Sequence, residues 1–186
     1  MHHIATQRIE TARLILRPFI MADATAMYEN WASDPAVTQY LTWPPHSSVE
    51  VTRMVLGDWI EKYRNPDWYN WAITLNDGKD TPIGNISAVA CAETTGSVEI
   101  GYCLGRAWWG SGIMTEALRA VIGFFIGQVG VNRVEARHDT QNPASGKVMQ
   151  KAGMTFEGIL RQAAKNNRGV IDIGVHSILA SEWNKG

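Results

Sequence analysis

Hydrophobic and polar positions divide this chain into short alternating runs and longer runs of helical period. Val98, Ile100, Tyr102 and Leu104 alternate with Glu99, Gly101 and Cys103, the period of two that a strand requires. From Ile113 the period changes, and Ile113, Met114, Ala117, Leu118, Val121, Ile122 and Phe125 recur on one helical face. Between them lies Gly110-Ser111-Gly112, without a bulky side chain to keep a ligand from the main chain. The first amides of a helix have no intrahelical acceptor and point outward at the positive end of its dipole, so this junction predicts a phosphate site. Gly101 and Gly105 weaken the strand and predict a bulge, a close approach or a strand parting from its neighbour, against the simpler alternative that Gly105 merely ends the strand.

The other periods complete a single domain over residues 1–186. Arg8 to Phe19 reads as one strand closed by Pro18, with Leu14 and Leu16 against Arg13, Ile15 and Arg17. Asp23 offers an N-cap for a helix through Ala24, Met27, Tyr28 and Trp31, ended near Asp34-Pro35, with a short helix through Val37 and Tyr40. Ser47-x-x-Glu50 reads as a capping box opening a helix to Tyr63. Trp71–Leu75 and Ile83–Ala92 form a pair around Asn76-Asp77-Gly78. Asn132–His138 is a further strand, making a parallel crossover with the central strand and its helix. Asn142-Pro143 opens another helix that Gly153 closes, and Phe156–Leu160 pairs with Val170–Leu179. The sum is an α+β domain: a mixed sheet of about seven strands with helices on both faces.

Composition narrows the partners. A net charge of −1, from 17 basic and 18 acidic residues, supplies no basic field for nonspecific nucleic-acid binding. Cys91 and Cys103 are the only cysteines, which suits a reducing cytoplasm and gives neither a disulfide framework nor a metal spacing. No apolar run reaches the roughly 20 residues of a membrane span, and no signal peptide is evident. The expected protein is soluble and cytoplasmic, needs no metal and binds neither nucleic acid nor membrane; His2 and His3 are given no role.

At these residues a family resemblance emerges. Gly110 and Gly112, with Trp108-Trp109 before them and Thr115-Glu116-Ala117 after, resemble the acetyl-CoA loop of the GNAT superfamily of N-acetyltransferases, in its ribosomal-protein N-terminal branch. Ala107 stands where Gln or Arg is usual. Thr11-x-Arg13-Leu14-x-Leu16-Arg17 is similar to that branch's opening, and Asn142-x-x-Ser145, Ala152-Gly153-Met154 and Glu157-Gly158 to the family's second motif. Asp172 with Glu182-Trp183 resembles the C-terminal signature, with His176 where Tyr is frequent. The resemblance implies the GNAT fold, mostly antiparallel with a splayed central strand pair, and direct acetyl transfer from acetyl-CoA, as cosubstrate, to an amine in a ternary complex.

The resemblance assigns roles. Trp109, Gly110, Ser111, Gly112, Ile113 and Met114 would hold the pyrophosphate, and the main chain of Tyr102, Cys103 and Leu104 the pantetheine. Asn142 would bind the cofactor, against the alternative of a simple N-cap, and Ser145 would protonate the thiolate. Glu99 is the candidate base, against a solvated strand residue; His138 and Asp139 are second choices. Trp31, Trp43 and His46, with the loop from Asn166 to Gly169, would line the acceptor side, against ordinary core packing. Cys103 as an acetyl-carrying nucleophile is a lesser alternative. The acceptor is expected to be a peptide or protein α-amine or a small-molecule amine, and the enzyme a monomer or homodimer. Two other readings stay open: an acyl-CoA sensor without catalysis, separable by binding without turnover, and a dinucleotide-dependent oxidoreductase. The latter rests on Gly-x-Gly before a helix with Glu135 beyond it, but Thr115 occupies the third glycine's place.

Overall fold

The computed structural model describes residues 1–183, so the last three positions of the expected domain, 184–186, lie outside the described residues. Eight strands form one sheet in the order β1-β2-β3-β4-β5-β6-β8-β7. The extra strand comes from the N-terminal run, which is two strands: β1 (Ile9–Glu10) and β2 (Leu14–Arg17), antiparallel with Ile9 opposite Leu16. Thr11 breaks the run, because its Oγ1 accepts from the Leu14 amide at 3.0 Å and turns the chain there.

β3 (Asn70–Leu75) and β4 (Pro82–Ala92) extend the antiparallel sheet, and β4 pairs with β5 (Ser97–Leu104) along β5's whole length. A bulge lies in β4 between Ala88 and Ala90; a Cβ on Gly101 would stand 2.8 Å from Val89 Cγ1. The glycine in β5 therefore makes room for its neighbour's irregularity. β6 (Arg133–Asp139) is parallel to β5 only from Ser97↔Arg133 to Ile100↔Ala136. Beyond Ile100 the two separate, while β5 stays bonded to β4 and β6 to β8 (Gly169–Leu179). β7 runs from Thr155 to Asn166, well past the expected Leu160, because register shifts at Phe156/Gly158 and Leu160/Ala164 break its alternation without ending its pairing.

One face of the sheet carries α4 (Ile113–Phe124) and α5 (Pro143–Lys151). Ile113, Met114, Ala117, Leu118, Val121, Ile122 and Phe124 of α4 are buried against Val98, Ile100 and Val134. Each fully buried aliphatic side chain of this kind contributes about 1.5–3 kcal/mol. The other face carries α1 (Ala24–Met27), continued by a π turn over Tyr28–Ala32, then α2 (Pro35–Thr38) and α3 (Val49–Lys62), around Phe19, Met27, Trp31 and Leu56. The helix expected from Asp23 starts earlier, as a 3-10 turn at Met21. Asp23 does not cap α1: its carboxylate takes the buried Arg17 guanidinium at 2.8 and 2.9 Å and the Ile20 amide. α3 opens after Ser48, one residue past the expected cap. No described helix is long and apolar enough to cross a membrane.

Candidate active site

Gly110 and Gly112 have φ of +75° and +77°, a backbone conformation that a Cβ strains. The turn they make delivers the chain into α4 with no side-chain cap, and the first helical bond runs from the Glu116 amide to the Gly112 carbonyl. Among the described residues, the amides from Gly110 to Thr115 have no protein acceptor. This cradle suits an anion with several oxygens. Of the other predicted loop residues, Ile113 and Met114 turn their side chains into the core and offer only main chain. Ser111 Oγ donates to the Trp108 carbonyl at 2.6 Å, and the Trp109 indole donates to the Leu104 carbonyl at 2.8 Å.

The sequence reading missed Arg13. Its Nε donates to Glu116 Oε2 at 2.6 Å and its Nη1 to the Ser111 carbonyl at 3.0 Å, so the guanidinium sits on the glycine loop. Burial pushes the Glu116 carboxyl up, but the Thr11 hydroxyl, the Arg13 guanidinium and the Arg13 amide together outweigh it and hold the group below the usual range. Arg13 Nη2 has no partner among the described residues and lies 3.5 Å from where a Cβ on Gly112 would stand. The N-terminal motif and the loop are joined through space, a link no local pattern contains.

The cradle leads into the opening between β5 and β6, part of a cleft of about 770 Å3. Tyr102 Oη crosses this opening to α5, 3.0 Å from Ser145 Oγ and 3.1 Å from the Ser145 carbonyl oxygen, and burial pushes its phenol well above the ordinary range. Asn142 caps α5 by accepting the Ser145 amide at 3.3 Å, while its Nδ2 has no partner among the described residues. The cap and a ligand contact thus use different atoms of one side chain. Cys103 is buried, donates to Asn85 Oδ1 at 2.9 Å and is pushed by burial up to about 12. A thiol held neutral is a poor nucleophile, so the geometry opposes the covalent alternative.

Glu99 lines the cleft half-buried, with Oε2 3.4 Å from Arg137 Nε. Burial raises its carboxyl above the ordinary range, Arg137 opposes this and Glu135 adds to it. Asp139, a second-choice base, is structural: Gln141 N, Asn166 Nδ2 and Arg168 Nη1 all donate to it. His138 reaches the cleft wall but has its ring wedged against Gly146 and Gly174, and burial lowers its pKa. Trp43 lines the cleft. Trp31 does not: it is fully buried between Phe19 and its neighbours, since a whole indole there completes the core under α1. His46 also stands back from the cleft, its ring tilted against Trp43 at 5.2 Å, with Nδ1 bonded to Thr52 Oγ1. His3, given no role above, binds Glu93 and Tyr69 and ties the N-terminus to β3 and the β4–β5 turn. Among the described residues no group of three or more His, Cys, Asp or Glu is placed to hold a metal.

The description acetyltransferase (GNAT) domain matches residues 13–155. The chain belongs to the GNAT acetyltransferase family. It is 31% identical over 171 residues to the uncharacterized N-acetyltransferase YoaA of Bacillus subtilis (strain 168), covering 92% of this chain and 96% of that one. It is 29% identical over 177 residues to the uncharacterized N-acetyltransferase p20 of Bacillus licheniformis, covering 95% and 98%. A solved ribosomal L7/L12 alpha-N-protein acetyltransferase in complex with coenzyme A shares its fold with a TM-score of 0.82 at 23% identity, covering 93% of this chain and 98% of that one. This GNAT enzyme is an acetyl-CoA-dependent acetyltransferase, and its residues fit that cosubstrate: free amides and Arg13 for the diphosphate, a parted strand edge for the arm. The dinucleotide reading fails on topology, because the Gly-x-Gly helix belongs to a mostly antiparallel sheet and not to a doubly wound parallel one.

Proposed function

We propose that this enzyme transfers acetyl directly to an amine, the α-amine of a peptide or protein or that of a small molecule, within a ternary complex. The observation carrying the proposal is that Glu99 and Ser145 line one cleft that continues into the free-amide cradle. Bound acetyl-CoA supplies the activated acetyl thioester.

In this reading Glu99 takes the amine proton. Its raised pKa keeps that proton transfer closer to balance near neutral pH. An α-amine, with an ordinary pKa of about 8, asks less of that base than a lysine near 10.4. Main-chain N–H groups on the free edge of β5 polarise the carbonyl, and Ser145 Oγ supplies a proton to the departing sulfur and recovers one from solvent, while Glu99 releases the amine proton to solvent. Tyr102 orients Ser145: when its O–H points at Ser145 Oγ, the serine proton is free to be given away. The buried thiol of Cys103 supports direct transfer over an acetyl-enzyme.

Initial-rate kinetics with acetyl-CoA and a panel of amines and peptides tests this. Intersecting double-reciprocal lines are expected; parallel lines defeat the ternary complex. Tight acetyl-CoA binding with no CoA released from any acceptor replaces the enzyme with an acyl-CoA sensor.

A further inference from the structure

The turn after β7 is fastened to the opposite wall of the cleft. The Asn167 amide donates to the Leu41 carbonyl at 3.0 Å, and its Nδ2 donates to the carbonyls of Thr38 at 2.9 Å and Trp43 at 2.7 Å. Arg168 lies over the Tyr40 ring at 5.5 Å and pairs with Asp139 at 3.1 Å. Asn166 holds the turn from within, accepting from the Arg168 amide and donating to Asp139. Tyr40, Leu41 and Trp43 line one side of the cleft and Lys165 and Asn166 the other, so these bonds join its two walls. A polypeptide acceptor needs a way out for the chain that follows its first residue, and this seam narrows the gap between the walls on that side.

Charge narrows the acceptor further. Two carboxylates line the cleft. Asp139 is spent on Gln141, Asn166 and Arg168, which leaves Glu99 as the one able to meet an ammonium. Lys147, Lys151 and Lys165 also line the space, while Arg137 is paired with Glu135 and Glu99, so a second ammonium on the acceptor meets more cations than carboxylates. Apolar side chains lining the same space include Trp43, Val89, Ile171 and Ile173.

Resting on the acetyltransfer reading above, we infer that the acceptor is a compact monoamine with an apolar body, not the end of a polypeptide and not a polyamine. The seam narrows the way out for a chain, the cations oppose a second amine, and the apolar walls hold the rest.

The test compares kcat/KM for phenethylamine, spermidine and a phenylalanine-initiated pentapeptide, which carries the same aromatic body with a chain attached. Phenethylamine is expected to lead each of the others by about tenfold or more. A pentapeptide or spermidine that matches it overturns the inference. Asn167→Ala removes the side-chain half of the seam and keeps the amide half. It should raise kcat/KM for the pentapeptide relative to phenethylamine by about threefold or more; an unchanged ratio overturns the seam's role. Titration calorimetry of the same amines into CoA-saturated protein reads the acceptor site without turnover. Phenethylamine preferred there, with no CoA released in any assay, sinks the transfer reading and leaves the acceptor inference standing; equal binding of the pentapeptide sinks the inference itself.

Discussion

The hydroxyl of Tyr102 is 3.0 Å from Ser145 Oγ and 3.1 Å from the Ser145 carbonyl oxygen, so one phenolic proton has two acceptors on the same residue. Only one of these arrangements leaves the serine proton free. Tyr102→Phe should lower kcat by about tenfold with little change in the KM for acetyl-CoA, since it alters orientation and not the binding surface. Ser145→Ala should cost more, and the double variant no more than Ser145→Ala alone. Additive losses in this cycle would separate the two residues.

The glycine loop tolerates little. Gly110→Val and Gly112→Val place β-branched residues at φ near +75°, where such side chains are strained, beside the amides of the cradle. Both should raise the acetyl-CoA KM at least about tenfold. Unchanged KM in both would remove the loop from the binding site.

Arg13 Nη2 has no partner among the described residues and sits over the glycine loop. Arg13→Gln should weaken coenzyme A binding by about tenfold or more, the scale of one charge-assisted hydrogen bond. Binding of acetyl-pantetheine, which has no diphosphate, should hardly move. Equal losses for both ligands in calorimetry would make Arg13 a brace of the fold only.

The Glu99 carboxyl, raised by burial, should give an acid limb in kcat/KM centred above the ordinary carboxylate range. Rate is lost as pH falls through that value, because the base becomes protonated. Glu99→Gln should lower the rate and flatten this limb; a wild-type limb in the variant would retire Glu99 as the base.

Half-buried His138 and buried His176 have ring centroids 5.1 Å apart, and both nitrogens of His176 lack partners among the described residues. Burial lowers both pKa values, so the folded state prefers the neutral rings. Below the unfolded value of 6.5 the unfolded chain takes up protons that the folded chain refuses, and stability falls with pH. His176→Phe should reduce the drop in Tm between about pH 7 and 5. The same slope in the variant would place the acid sensitivity elsewhere.

How much was legible follows from how far each signal reaches. The period change at Ile113 and the uncapped glycines announced both α4 and its free amides, because strand, loop and helix start are neighbours in sequence. Arg13 on Ser111 and Glu116, Tyr102 on Ser145 and Asn167 on the Trp43 loop were invisible, since each spans about forty to one hundred and twenty residues. Trp31 shows the converse. An aromatic residue counts equally as core or as lining in a pattern, and only packing assigned it to the core. β7 was cut short for a related reason: its register shifts scramble the alternation by which a strand is recognised, while its partner β8 holds it in place.

Where β5 and β6 diverge, the molecule forgoes part of a ladder that every other neighbouring strand pair helps to complete. A cosubstrate arm laid along that free edge would act as a missing rung of the scaffold as well as a reactant. Saturation at about one hundred times Kd would add about 2.7 kcal/mol to the unfolding free energy. The enzyme's resistance to heat and proteolysis is thereby tied to the supply of its own cosubstrate.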